Sequence, residues 1–243
     1  MAASDRLKER AYYLLSQGLY EETLNCLANA IEAEPTDASL WHQKGIVQRK
    51  MGRYEESIDS LNKAAELQPS NADTWRNRGV VLNNLGRHKE ALESCDKAVA
   101  LDPYNARTWI VKGFALHNLH RYEDAVASYA RAIELCPFGT NGRRAWNNRG
   151  AALDNLRRHE EAIDSYDEAI MIDPFDIYAW NNKGVAFGAV GRHEEALRCF
   201  DKALSIASSY ATAWRNKGIS LKALGRDAEA EEAFQMAREL GLK

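Results

Sequence analysis

One short motif recurs along the chain and limits what it can fold into. It reads Trp41-His42-Gln43-Lys44-Gly45, then Trp75-Arg76-Asn77-Arg78-Gly79, then Trp109-Ile110-Val111-Lys112-Gly113. It continues as Trp146-Asn147-Asn148-Arg149-Gly150, Trp180-Asn181-Asn182-Lys183-Gly184 and Trp214-Arg215-Asn216-Lys217-Gly218. All six tryptophans serve this motif, at spacings of 34, 34, 37, 34 and 34 residues. A fixed period means like units that bury their apolar faces against neighbours, with no single central core.

Each period holds two helical patterns. In the sixth, Tyr178 to Val190 reads as a first helix, Gly191-Arg192-His193 as a turn, and about Glu194 to Ala207 as a second helix. Acidic residues open the second helices (Glu21-Glu22, Glu55-Glu56, Glu160-Glu161, Glu194-Glu195), where they suit the positive end of the helix dipole. Pro35, Pro69, Pro103, Pro137 and Pro174 end them. Asp37, Asn71, Asn105 and Asp176 then stand where the next helix needs a capping side chain. Small residues fall in columns: Gly45 to Gly218 after each tryptophan, Ala91 to Ala230, and Ala30 to Ala237. Large ones (Leu27, Leu61, Tyr129, Tyr166, Phe200, Phe234) are the expected packing partners, and Cys95 shares their column as a small core residue.

Trp, Gly, the Ala columns, the aromatic position and the closing proline together resemble the tetratricopeptide repeat family, in the style of its bacterial and archaeal members. The resemblance spans seven repeats in one array, 1–243, with repeats at about 4–37, 38–71, 72–105, 106–142, 143–176, 177–210 and 211–243. The first lacks the tryptophan and is recognised by Leu7, Ala11, Leu14, Tyr20, Leu27, Ala30 and Pro35. The resemblance implies an all-α fold, a right-handed alpha-alpha superhelix whose first helices line a concave groove. It also implies a non-enzymatic protein-interaction role. Three departures stand out. Phe138-Gly139-Thr140-Asn141-Gly142 lengthens one junction by three residues, expected to alter a stacking angle or to form a hinge or contact loop. Ser208 replaces a proline. Glu231 and Arg238 replace apolar positions, giving the last helix a polar outer face, as an exposed terminal helix needs.

Catalytic signatures are absent, with no GxGxxG and no GxxxxGK, so no enzyme and no cofactor is expected. His159-Glu160 and His193-Glu194 lack the second histidine of a zinc helix. His117 and His120 lie three apart without an evident third ligand, and Cys26, Cys95, Cys136 and Cys199 lack metal spacing; no metal is expected. Net charge of −3 argues against nucleic acid, and no apolar run approaches the roughly 20 residues that span a bilayer. The start, Met1 to Arg6, shows no signal-type segment, and a cytoplasmic setting is expected.

Binding is therefore the expected role. Arg49, Lys50, Arg76, Arg107, Arg144, Arg215 and Lys222 project to the groove, against Asp73 and Asp154, a surplus of five positive charges. Lys8 against Asp5 and Glu9 lowers it to four. Asn77, Asn148, Asn182 and Asn216 form one groove column, and Asn84, Asn118 and Asn155 another; a carboxamide can pair with peptide backbone of any sequence. The first column resembles the asparagine ladder of the tetratricopeptide superhelix in O-linked N-acetylglucosamine transferase, which holds extended peptide. Phe114 and Tyr178 add apolar contacts. The carboxylate clamp of chaperone-binding members is not intact, since Tyr12 and Gln43 stand where it needs asparagines. The partner expected is an extended, acidic peptide; the alternative is self-assembly into a homo-oligomer. Arg10, Lys44, Arg78, Lys112, Arg149, Lys183 and Lys217 form a further basic column. Its expected role is structural: apolar stems packed at an interface, with the charges reaching acids such as Asp96, Asp167 and Asp201.

Overall fold

The computed structural model describes residues 3–242, with side chains from residue 6 onward. Among these are fourteen α-helices and no strand. The chain packs as two compact units, Met1–Leu119 and His120–Lys243. The first holds α1 (Ala3–Ser16), α2 (Tyr20–Ala33), α3 (Ala38–Lys50), α4 (Tyr54–Leu67), α5 (Ala72–Asn84), α6 (His88–Leu101) and α7 (Ala106–Asn118). The second holds α8 (Tyr122–Leu135), α9 (Gly139–Asn155), α10 (His159–Ile172), α11 (Ile177–Ala189), α12 (His193–Ile206), α13 (Ala211–Ala223) and α14 (Asp227–Glu239). Odd-numbered helices are the first of each repeat and even-numbered the second, and the sixth repeat's expected helix limits hold within about one residue.

The local signals act as their chemistry requires. Asp37, Asn71, Asn105 and Asp176 accept backbone N–H bonds at the starts of α3, α5, α7 and α11. The carbonyl beyond a second helix takes the indole N–H of the next tryptophan at five of the six junctions: Trp41 to Pro35 at 3.0 Å, Trp75 to Pro69 and Trp109 to Pro103 at 2.8 Å. Trp180 does the same to Pro174 at 2.9 Å and Trp214 to Ser208 at 2.8 Å, so the missing proline changes nothing here. A Cβ on Gly184 would stand 2.6 Å from the Phe200 ring, and one on Gly218 the same from Phe234, which is why the column after tryptophan is glycine.

The lengthened junction is helical rather than a loop. Its residues add a turn to α9, which runs 17 residues against 13 in α11. Gly142 makes this possible, because a Cβ there would collide with the Pro137 carbonyl. The extra turn places Trp146 nine residues beyond Pro137, and its indole finds no carbonyl partner among the described residues. Arg143 bridges the neighbouring junction instead, to Asp176 and, at 3.7 Å, to Asp173.

The acidic residues that open second helices do more than face a dipole. In five of the seven second helices the arginine before the helix grips the carboxylate three residues on, as in Arg87 to Glu90 at 2.7 Å, Arg158 to Glu161 at 2.6 Å and Arg226 to Glu229 at 2.5 Å. Glu231 and Arg238 are exposed and pair with each other at 2.7 Å.

Within each unit, first helices touch one another (α3 with α5, α5 with α7; α9 with α11, α11 with α13), while successive second helices make no comparable contact. The first helices therefore form the tighter side of each stack, and their outward residues form the candidate site.

Candidate functional site

In the second unit the asparagines form a ladder between first helices. Asn182 Nδ2 donates to Asn147 Oδ1 at 3.3 Å, and Asn216 Nδ2 to Asn181 Oδ1 at 3.0 Å. Asn181 Nδ2 donates to Asn182 Oδ1 at 3.4 Å. Part of this column is thus spent joining repeats, which the sequence pattern did not reveal. A carboxamide offers two donors and an acceptor oxygen with two lone pairs, so each rung keeps unused capacity. Asn148 is partly exposed and makes no side-chain bond among the described residues.

Beside the ladder lie Tyr178, 58% exposed, with its ring edge-on to Tyr210 at 5.7 Å, and the exposed Val185 and Ile219. Arg144 and Arg215 are exposed, as is Lys222, and none makes an ion pair among the described residues. Helices α9, α11 and α13 contain a single acid, Asp154. It does not belong to the groove, and this corrects the sequence reading. Asp154 is partly buried, accepts Tyr166 O–H at 2.7 Å and meets His159 Nδ1 at 2.9 Å. Burial pushes its carboxyl above the usual carboxylate range despite those two bonds. The cations on this face therefore have no opposing carboxylate on their own helices.

The first unit is more self-satisfied. Arg76 pairs with Asp73 at 2.5 Å, so neither is a free groove charge. Lys8 reaches Glu34 and Asp37, both at 2.7 Å, rather than a groove, and the side chain of Asp5 lies outside the described residues. Lys50 sits over the Tyr20 ring at 5.7 Å. Asn77 is 9% exposed and meets His42 Nε2 at 3.3 Å. Arg49 is partly exposed, with its Nε buried and unpartnered among the described residues. Arg107 and Asn84 are exposed, and Phe114, 44% exposed, lies edge-on to His88. In the second asparagine column, Asn118 and Asn155 each donate at 2.8 Å to a carbonyl of their own helix, Phe114 and Ala151.

From Lys44 onward the basic column is structural, whereas Arg10 is exposed and makes no such contact among the described residues. Lys112 pairs with Asp96 at 2.7 Å, Lys217 with Asp201 at 2.6 Å, and Lys183 with Asp167. Arg78 donates to Asn62 and Ser94, and Arg149 to Ser165. Six of the seven, from Lys44 to Lys217, also lie over the tryptophan three residues earlier, at 5.2 to 5.9 Å. Burial pushes the Cys95 thiol up to about 12 and that of Cys199 up to about 11, far from a reactive thiolate. No group of three metal-ligating side chains forms among the described residues. Nor is any described helix long and apolar enough to cross a membrane.

Family models described as Tetratricopeptide repeat match residues 42–106, 106–138, 144–176 and 176–243. The chain belongs to the tetratricopeptide repeat family. A tetratricopeptide repeat protein from Parabacteroides merdae shares the fold at 19% identity and a TM-score of 0.78, over 98% of this chain and 93% of that one. YrrB, described as a tetratricopeptide repeat protein with an unusual peptide-binding site, is 26% identical with a TM-score of 0.62, over 77% and 95% of the two chains. A MamA protein is 28% identical with a TM-score of 0.62, over 72% and 93%. No curated protein matches this tetratricopeptide chain in sequence.

Proposed function

We propose that this tetratricopeptide chain is a non-enzymatic scaffold that captures an extended, acidic peptide segment along α9, α11 and α13. The observation that carries this reading is the imbalance on that face. Arg144, Arg215 and Lys222 have no internal partner, beside a ladder of half-used carboxamides and the exposed Tyr178, Val185 and Ile219. Unpaired cations favour an anionic partner and speed its encounter. Carboxamides take up peptide N–H and C=O groups whatever the side chains, and the aromatic and aliphatic residues supply apolar contact. The peptide site named in YrrB is a parallel within the same fold. Arg107, Asn84 and Phe114 offer similar chemistry in the first unit, with more of their neighbours already paired.

The test is a random-peptide selection on the wild type, repeated on an Arg144→Gln/Arg215→Gln/Lys222→Gln variant. Acidic peptides should dominate the first pool and vanish from the second, with wild-type affinity falling steeply as salt rises. Pools of equal composition, or salt-insensitive binding, would refute the reading.

A further inference from the structure

Two second helices begin with a histidine whose Nδ1 is met by a side chain of the preceding helix. His88 Nδ1 lies 3.0 Å from Asn83 Oδ1, and His159 Nδ1 lies 2.9 Å from Asp154 Oδ1. Each partner stands eight residues after a tryptophan and five before the histidine. In the sixth repeat the same positions hold Gly188 and His193, and the partner side chain is missing. His193 Nδ1 is buried and has no hydrogen-bond partner among the described residues. There is room for the first carbon of such a side chain: a Cβ on Gly188 would meet only Ser220 Oγ within 4 Å, at 3.8 Å. Gly188 itself is partly exposed on α11, and Ser220 belongs to α13, the next first helix.

We infer that the notch at Gly188 receives an aspartate side chain of the bound peptide, whose carboxylate accepts a hydrogen bond from His193. A buried ring nitrogen left unpaired carries a desolvation penalty, and in the Nδ1–H tautomer that suits the oxygens facing His88 and His159 it is a donor. The chain supplies this acceptor itself from α5 and α9 and withholds it from α11, the middle helix of the proposed peptide site. Asp154 and Asn83 show which chemistry this histidine nitrogen takes: a carboxylate or a carboxamide oxygen. Carboxylate is preferred, because α11 and α13 contain no acid while α13 exposes the unpaired Arg215 and Lys222. The identity of the occupant rests on the peptide-binding reading above; the notch itself does not.

The test is the same peptide selection on the wild type and on Gly188→Asp, which restores in the chain the side chain seen at Asp154. Gly188→Asn serves as a second variant, and melting curves verify folding. The wild type should enrich peptides with aspartate at one fixed position. Gly188→Asp should lose that preference at least tenfold while keeping the other positions. An unchanged aspartate preference would overturn the inference and leave the groove reading standing. If the wild type enriches no acidic peptide, the groove reading falls. The notch is then decided by the His193 ring resonances on titration with Nα-acetylaspartate amide. A shift in the wild type that is absent in Gly188→Asp supports it, and no shift refutes it.

Discussion

Lys217 Nζ on α13 lies 2.6 Å from Asp201 Oδ1 on α12, sixteen residues earlier, while the same ammonium sits 5.2 Å from the centre of the Trp214 ring. The pair joins one repeat to the next, and the stem covers the indole. Asp201 is 57% exposed, so the ion pair itself contributes little and the packed stem more. Lys217→Met should therefore change stability by less than about 0.5 kcal/mol. Lys217→Ala, which also uncovers Trp214, should lose about 1 kcal/mol. Urea denaturation of both variants tests this; equal losses would mean that charge, not packing, holds the contact.

Two glycines four residues apart on α11 should respond in opposite ways. Gly184→Ala forces a Cβ to within 2.6 Å of the Phe200 ring and should destabilise by about 1–3 kcal/mol. Gly188→Ala meets open space in a helix interior and should stabilise by roughly 0.5–1 kcal/mol. Midpoints moving in the same direction would show that the helix tolerates or rejects side chains there for some other reason.

Asp154 gives a pH signature of definite sign. Its folded pKa is raised, chiefly by burial, so the folded state holds the proton more tightly than the unfolded state does. As pH rises between the two values, the unfolded chain gives up its proton first and stability falls; the loss is complete above the folded value. Asp154→Asn keeps an acceptor for His159, as Asn83 does for His88, without the buried charge. The variant should gain on the wild type as pH is raised from about 3.5 to 7, through the window above the ordinary carboxylate value. Parallel stability curves would contradict this.

The inter-helix turn supplies another test. Gly18, Gly52, Gly86, Gly191 and Gly225 all have φ between 73° and 80°, and His120 and Arg157 hold the same place at 58°. A side chain strains this left-handed geometry, so Arg157→Gly should stabilise by about 1 kcal/mol and Gly191→Arg should lose a similar amount. Thermal melts of the two variants check both signs.

Most of the scaffold was legible because the sequence states each position up to seven times. Trp41 to Trp214, the capping Asp and Asn residues and the glycine column each repeat one physical demand, and apart from Trp146 the structure meets it with the same contact each time. The basic column was legible too from Lys44 onward, since a charge kept in every repeat implied a shared structural role, though Arg10 does not take it up. What escaped were features that depend on two columns at once. Asp154 read as a groove acid until His159 and Tyr166 were seen to hold it inward. The asparagines read as free until their rungs to Asn147 and Asn181 appeared. The added turn of α9 was hidden because Phe138-Gly139 looks like a loop, and only the contact of Gly142 with the Pro137 carbonyl shows the helix starting early. A paired reading of the positions before each second-helix histidine was the signal available for Gly188 and His193.

The measurement that tests the central claim most directly is a titration of one selected acidic peptide against three forms of the protein by fluorescence anisotropy. The forms are the wild type, Asn148→Ala/Asn182→Ala/Asn216→Ala in the second unit, and Asn77→Ala/Asn84→Ala in the first. The account predicts at least a tenfold loss of affinity in the triple variant, with its fold intact by circular dichroism, and near wild-type binding in the double variant. Wild-type affinity in the triple variant would contradict it and place the binding surface away from α9, α11 and α13.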